Sequence, residues 1–172
     1  MHPAIEPDQG TAGDPLPPLP EYVVRAHDQH LREVLTALSE STMVVLVGGS
    51  STGKTRALWE AVRLLPTDWR IWQPIGTEPP ETLLRALAGQ QIAPRTVLWL
   101  DDLQNFLVPS NGDAGRKVAA ALRELLGDRE RGPVLILGTL WPEDWATVTI
   151  DPGRGQPSGR RHACAQPAGG QI

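Results

Sequence analysis

One stretch limits the possible folds more than any other: MVVLVGGSSTGKTRALWEAVRLL, residues 43–65. Residues 43–47 form a short, continuous apolar run, and three of the five are β-branched valines. Such a run, without polar alternation, suits a strand buried on both faces, the kind found in parallel sheets. The next residues, Gly48-Gly49-Ser50-Ser51-Thr52-Gly53, have the composition of a tight turn. Beyond them Lys54–Leu65 reads as a helix ended by Pro66. Strand, glycine-rich turn and helix, in that order, require a parallel α/β arrangement.

The turn also carries chemistry. Gly48, four residues, then Gly53-Lys54-Thr55 fits the phosphate-binding loop pattern. Glycines let the backbone wrap closely, so that successive N–H groups converge on phosphate oxygens. The helix that follows turns its positive end toward the same anion. Lys54 is placed to reach β- and γ-phosphates, and the Thr55 hydroxyl to ligate Mg²⁺. The chain has only two lysines, Lys54 and Lys117, against fourteen arginines. A lysine at the loop exit therefore answers a specific need, a compact ammonium where guanidinium geometry would not serve. Gly48 through Arg56 form the predicted nucleotide-binding set, with ATP and Mg²⁺ as its ligands.

Around this unit, apolar strands alternate with helical patterns. Residues 21–40 place Leu31, Val34, Leu35 and Leu38 on one helical face. Residues 69–75 predict a second strand, 79–90 a short helix, 95–102 a third strand and 114–128 an amphipathic helix with Gly127 as its stop. Residues 132–139 predict a fourth strand, and 141–150 a helical turn followed by a short strand. The alternation implies a three-layer α/β domain with a mainly parallel sheet. It spans residues 21–150. Residues 1–20 hold six prolines, and 151–172 hold five glycines and three prolines, with little apolar material in either. Both read as flexible tails.

The third strand, VLWL, ends in Asp101-Asp102. At the C-terminal end of a parallel strand, one aspartate can hold the Mg²⁺ shell opposite Thr55, and a second can polarise an attacking water. These roles fall to Asp101 and Asp102 in that order. Thr139, at the end of the fourth strand, is the candidate sensor of the γ-phosphate, because that strand should lie between the other two.

Together MVVLVGGSSTGKTR, VLWLDD and VLILGT resemble the P-loop ATPases of the additional-strand class, which carry a carboxylate after the metal-binding aspartate. Within that class they resemble the AAA-like signal-transduction ATPases with numerous domains (STAND). The resemblance covers roughly residues 22–145 and implies a strand order of about 2-3-4-1. It implies ATP binding with slow hydrolysis, used as a conformational switch in signalling. The segment YVVRAHD (22–28) is similar to the family's hhGRxxE element, which touches the nucleotide base. Arg25 and Asp28 keep the spacing, although Val24 replaces the glycine. Leu140 and Trp141 stand where the family often has an arginine, and no helical or winged-helix module follows. A truncated member and a minimal nucleotide domain both stay open.

Other features set limits. A formal charge of −4 gives no electrostatic reason to expect a nucleic-acid surface, Arg154, Arg160 and Arg161 in the tail notwithstanding. The single cysteine, Cys164, leaves no intrachain disulfide, and neither signal peptide nor membrane span is evident. A cytoplasmic protein is expected, with a protein partner or self-association and no membrane. His27 and His30 lack companions for a metal set. Most of the six tryptophans sit on apolar runs, leaving Trp141 and Trp145 as an exposed contact pair. No guanine-reading Asn/Thr-Lys-x-Asp motif occurs. Two rivals remain: a small-molecule phosphotransferase using NGDAGRK (111–117) as a lid, and a non-hydrolysing module that only holds its nucleotide.

Overall fold

A computed structural model describes residues 21–75, 79–108 and 113–149. The two segments read as tails, 1–20 and 151–172, lie outside the described residues. Four strands form one sheet: β1 (Thr42–Val47), β2 (Arg70–Trp72), β3 (Thr96–Leu100) and β4 (Val134–Leu140). Their order is β1-β4-β3-β2, which is the expected 2-3-4-1 seen from the other edge, and all three pairings are parallel. β4 therefore lies between β1 and β3. Both central strands are buried along their whole length, which is why they read as unbroken apolar runs.

Alternate residues of these strands feed two cores. Leu98, Leu100, Val134, Ile136 and Leu140 pack with α3 (Pro79–Ala88), α4 (Gln104–Leu107) and α5 (Asp113–Gly127). Val97, Trp99, Leu135 and Leu137 pack on the other face with α1 (Ala26–Thr36) and α2 (Lys54–Val62). A helical layer thus covers each face of the sheet. Each fully buried leucine or isoleucine contributes about 1.5–3 kcal/mol relative to exposure. Most of the stability therefore comes from the two central strands and the helices on them. Among the described residues, no helix is long and apolar enough to cross a membrane.

The differences from the sequence expectation have local causes. β2 pairs over three residues only, because Pro74 can donate nothing to a ladder. α1 begins at Ala26, since the Asp28 carboxylate accepts the Arg25 N–H (2.6 Å) and fixes the start there. α2 ends at Val62, and two tight bonds, Leu64 N–H to Ala61 O and Leu65 N–H to Val62 O, carry the chain to Pro66. The strand expected within 141–150 is instead a helix, α6 (Pro142–Thr149). Pro142 suits a first helical position, and Glu143 and Asp144 favour the first turn. Trp145 and Val148, three residues apart, then pack against the α3/α5 core. That spacing is helical, and the β-branched residues of the segment do not override it.

Candidate functional site

The C-terminal ends of β1, β3 and β4 meet at the glycine-rich turn. Gly48 N–H donates to Leu140 O (3.1 Å), continuing the β1–β4 ladder by one residue before the chain leaves the sheet. A side chain at Gly48 would place its Cβ 3.0 Å from the Thr52 hydroxyl, which would have to shift by a few tenths of an ångström to admit it. Ser51 (φ 57) and Gly53 (φ 82) both adopt left-handed backbone, which curls residues 49–53 into a closed loop. The Thr52 hydroxyl donates to Gly49 O (3.0 Å) across that curl. Lys54 opens α2 and folds back into the loop, its Nζ donating to Gly48 O (2.7 Å) and Gly49 O (2.8 Å). The ammonium thus stands at the loop's centre, held by carbonyls. Lys117, the other lysine, forms an exposed ion pair with Asp113 on α5 (2.5 Å), an ordinary surface contact.

Thr55 and Asp101 come together across the sheet. The Thr55 hydroxyl lies 3.2 and 3.3 Å from the two Asp101 carboxylate oxygens, although 46 residues separate them in sequence. Thr139 is 1% exposed, and its hydroxyl is shared. It donates to Asp101 Oδ1 (2.5 Å) and accepts the Asp102 N–H (2.9 Å). Thr139 therefore orients both aspartates, rather than reaching toward open space above the loop. Asp102 has a left-handed backbone (φ 54), uncommon for a non-glycine residue though tolerated by aspartate. Its Oδ1 accepts from Trp141 Nε1 (3.2 Å) and Gln104 Nε2 (3.2 Å).

The predicted residues assemble as a group. Gly48, Gly49, Ser50, Ser51, Thr52, Gly53, Lys54 and Thr55 form the loop and helix start, with Asp101, Asp102 and Thr139 beside them. Arg56 turns away along α2 to pair with Glu60 (2.7 Å), and its guanidinium lies 5.6 Å from the Tyr22 ring centroid. Arg25 reaches the loop: its guanidinium donates to Thr52 O and packs against Gly53, within 3.4–3.7 Å of where a Cβ there would lie. The sequence reading gives no role to Gln104 and pairs Trp141 with Trp145. Trp145 in fact packs on the core, and Trp141 turns its indole N–H to Asp102. The available signal was position alone, two residues past each strand-end group.

The segment leading into α1 is tied to the loop through Arg25. Asp28 anchors it, accepting from the Arg25 N–H and from the Tyr22 hydroxyl (2.7 Å). Partial burial and that bond to the Asp28 carboxylate push the Tyr22 phenol up to about 12. Below pH 10 the phenol stays protonated in both folded and unfolded chains. Between pH 10 and about 12 only the unfolded chain releases the proton, so this contribution to stability is lost as pH rises through that window. Tyr22 is the sole tyrosine, which makes the test direct. Near-ultraviolet difference absorbance should show phenol ionisation about two units late, and an ordinary midpoint near 10 would show the Asp28 bond is not made in solution.

Asp101 and Thr55 offer hard oxygen donors, which fit Mg²⁺. Among the described residues, no group of three or more His, Cys, Asp or Glu is placed to hold a metal unaided. A divalent ion at this site would therefore have to draw ligands from phosphate and water. That is how Mg²⁺ commonly binds, keeping several waters and one or two protein ligands. No family model matches this chain, and no curated protein matches it.

Proposed function

We propose that this chain binds Mg-ATP and hydrolyses it slowly, acting as a nucleotide-dependent conformational switch in the cytoplasm. One juxtaposition carries the reading: Lys54 centred in a left-handed glycine loop, with the next residue, Thr55, 3.2 Å from a carboxylate at the end of β3. In this reading, loop N–H groups and Lys54 take the β- and γ-phosphates, while Thr55 and Asp101 hold Mg²⁺. The ion, when bound, neutralises charge developing on the phosphates. Asp102 orients and polarises the attacking water. Thr139 keeps the two aspartates in register with each other. The order β1-β4-β3-β2, with a strand between loop and carboxylates, supports the resemblance to additional-strand P-loop ATPases of the STAND type.

A phosphotransferase is less well supported. Of its suggested lid, residues 113–117 are the first turn of α5, where Arg116 and Lys117 face Asp113 on the surface. Residues 111 and 112 lie outside the described residues. A hollow of about 450 Å³ lies at the other end of the sheet, beside Ser39, Ser41 and Pro133, too far from the loop to present an acceptor. A protein partner or a second copy of the chain would read the switch, and the acidic net charge favours neither nucleic acid nor membrane.

Calorimetric titration with ATP, with and without Mg²⁺, tests the reading together with two substitutions. Asp101→Asn should abolish most of the Mg²⁺ dependence of binding. Asp102→Asn should leave affinity within about twofold and slow phosphate release by about 10²-fold or more. Exchanged phenotypes would reverse the two roles. Absence of ATP binding by the folded wild-type chain would end the proposal.

A further inference from the structure

We infer that Trp141 and Gln104 are positioning residues for the Asp102 carboxylate, pinning one of its oxygens so that the other faces the water. The inference rests on the proposed role of Asp102 as the group that polarises water. A carboxylate free to rotate about its side-chain bonds presents its lone pairs in many directions, and most are unproductive. Asp102 is not free in this way. Its N–H is bound to Thr139, its backbone holds a left-handed conformation, and its Oδ1 takes two donors from opposite sides of the sequence. One is the indole N–H of Trp141, directly after β4. The other is the amide of Gln104, the first residue of α4. Oδ2 accepts no hydrogen bond from the described residues, and it is the atom left to receive a proton from water.

Gln104 supplies an independent observation. Its Oε1 is buried without a hydrogen-bond partner, the only such side-chain atom found among the described residues. A buried carbonyl oxygen left unpaired costs free energy, and such groups are rare. Turning the amide over would not help. Oε1 would then face Asp102 Oδ1, acceptor against acceptor, and the NH₂ group would take the unpaired place. The fold therefore accepts an unsatisfied atom in order to aim an N–H at Asp102. Packing alone would favour methionine or leucine at this position. The Trp141 indole has a parallel oddity. It is 38% exposed, a costly place for a large aromatic ring, yet its one polar atom faces inward to Asp102. Pro142 restricts the Trp141 backbone to extended conformations, which helps hold the ring in place.

Removing one donor by an otherwise similar side chain is the test, with ATP turnover, nucleotide affinity and thermal unfolding measured on the full chain. Trp141→Phe and Gln104→Met should each slow phosphate release at saturating ATP about tenfold, the scale of one hydrogen bond to a charged group. ATP affinity should stay within about twofold. Gln104→Met should unfold close to the wild-type temperature, because losing the orphaned oxygen offsets losing the bond to Asp102. Slower turnover with undiminished stability is not what a merely structural glutamine would give. In an Asp102→Asn background neither substitution should slow the reaction further, since a positioning residue has no effect once its target is gone.

Wild-type rates for Trp141→Phe and Gln104→Met, beside a slow Asp102→Asn, would overturn the inference and leave the role of Asp102 standing. Full additivity with Asp102→Asn, or loss of affinity and stability in step with rate, would overturn it as well. Equal turnover of wild type and Asp102→Asn would remove the role of Asp102 itself, and the inference with it.

Discussion

Lys54→Ala is expected to weaken ATP binding by about 100-fold or more while leaving the chain folded. The ammonium sits in the loop against Gly48 and Gly49 carbonyls, where an anion's oxygens would compete for it. Contacts of a charged donor with phosphate contribute roughly 1.5–3 kcal/mol each, and each 1.4 kcal/mol is tenfold in affinity. No neighbour takes over this task. Arg25 donates to Thr52 O, and Arg56 pairs with Glu60 on α2. Stability should fall by about 1–3 kcal/mol, because the carbonyls of buried Gly48 and half-buried Gly49 both lose their donor. Lys54→Arg should not restore binding. A planar fork carried on a longer stem does not fit a cradle that closes on a point charge. Calorimetry on variants with native-like unfolding curves checks both: unchanged affinity in Lys54→Ala would remove Lys54 from the site, and in Lys54→Arg would refute the point-charge argument.

The loop and its neighbours were legible in the sequence because each depends on local chemistry. Gly53 marks left-handed backbone and Gly48 a close approach of the Thr52 side chain, and such needs appear directly as glycine. β3 and β4 are buried on both faces, so their residues show no alternation and read as continuous apolar runs. Burial on both faces marks β3 and β4 as central strands, while the expected order of all four came with the resemblance to P-loop ATPases. Other features depend on partners distant in sequence. Thr139 reads as a free hydroxyl until the fold sets it against Asp101, 38 residues away. Trp141 meets Asp102 across 39 residues, and no periodicity encodes that contact. The β-branched Thr147, Val148 and Thr149 suit a strand by composition, where the fold forms α6. Partial burial of Trp145 and Val148, three residues apart, against the core favours the helix.

Turnover by the isolated chain should be on the order of minutes or longer per ATP, as in P-loop proteins that lack an arginine finger. Lysine and a metal ion alone leave much of the transition-state charge unmatched, and an arginine aimed at it is worth ~10³–10⁵ in rate. Among the described residues flanking β4, no arginine is placed for this. After β4 the chain continues Trp141-Pro142, and the next arginine in sequence is Arg154, outside the described residues. The arginines just before β4 lie at the wrong end of the sheet. Arg131 donates to Leu87 O, and Arg129 is within 4.0 Å of Glu40. Thr55 and Asp101 are exposed, so water reaches the site and weakens every electrostatic contact made there. A second subunit or partner that covered this face would exclude water and could bring in the missing cation. Phosphate release per site should therefore stay slow in dilute monomer and rise with protein concentration if copies of this chain assemble over the loop. Following release across a dilution series, with oligomeric state measured at each step, checks both parts. Many turnovers per second from a verified monomer would show that the site already holds all it needs.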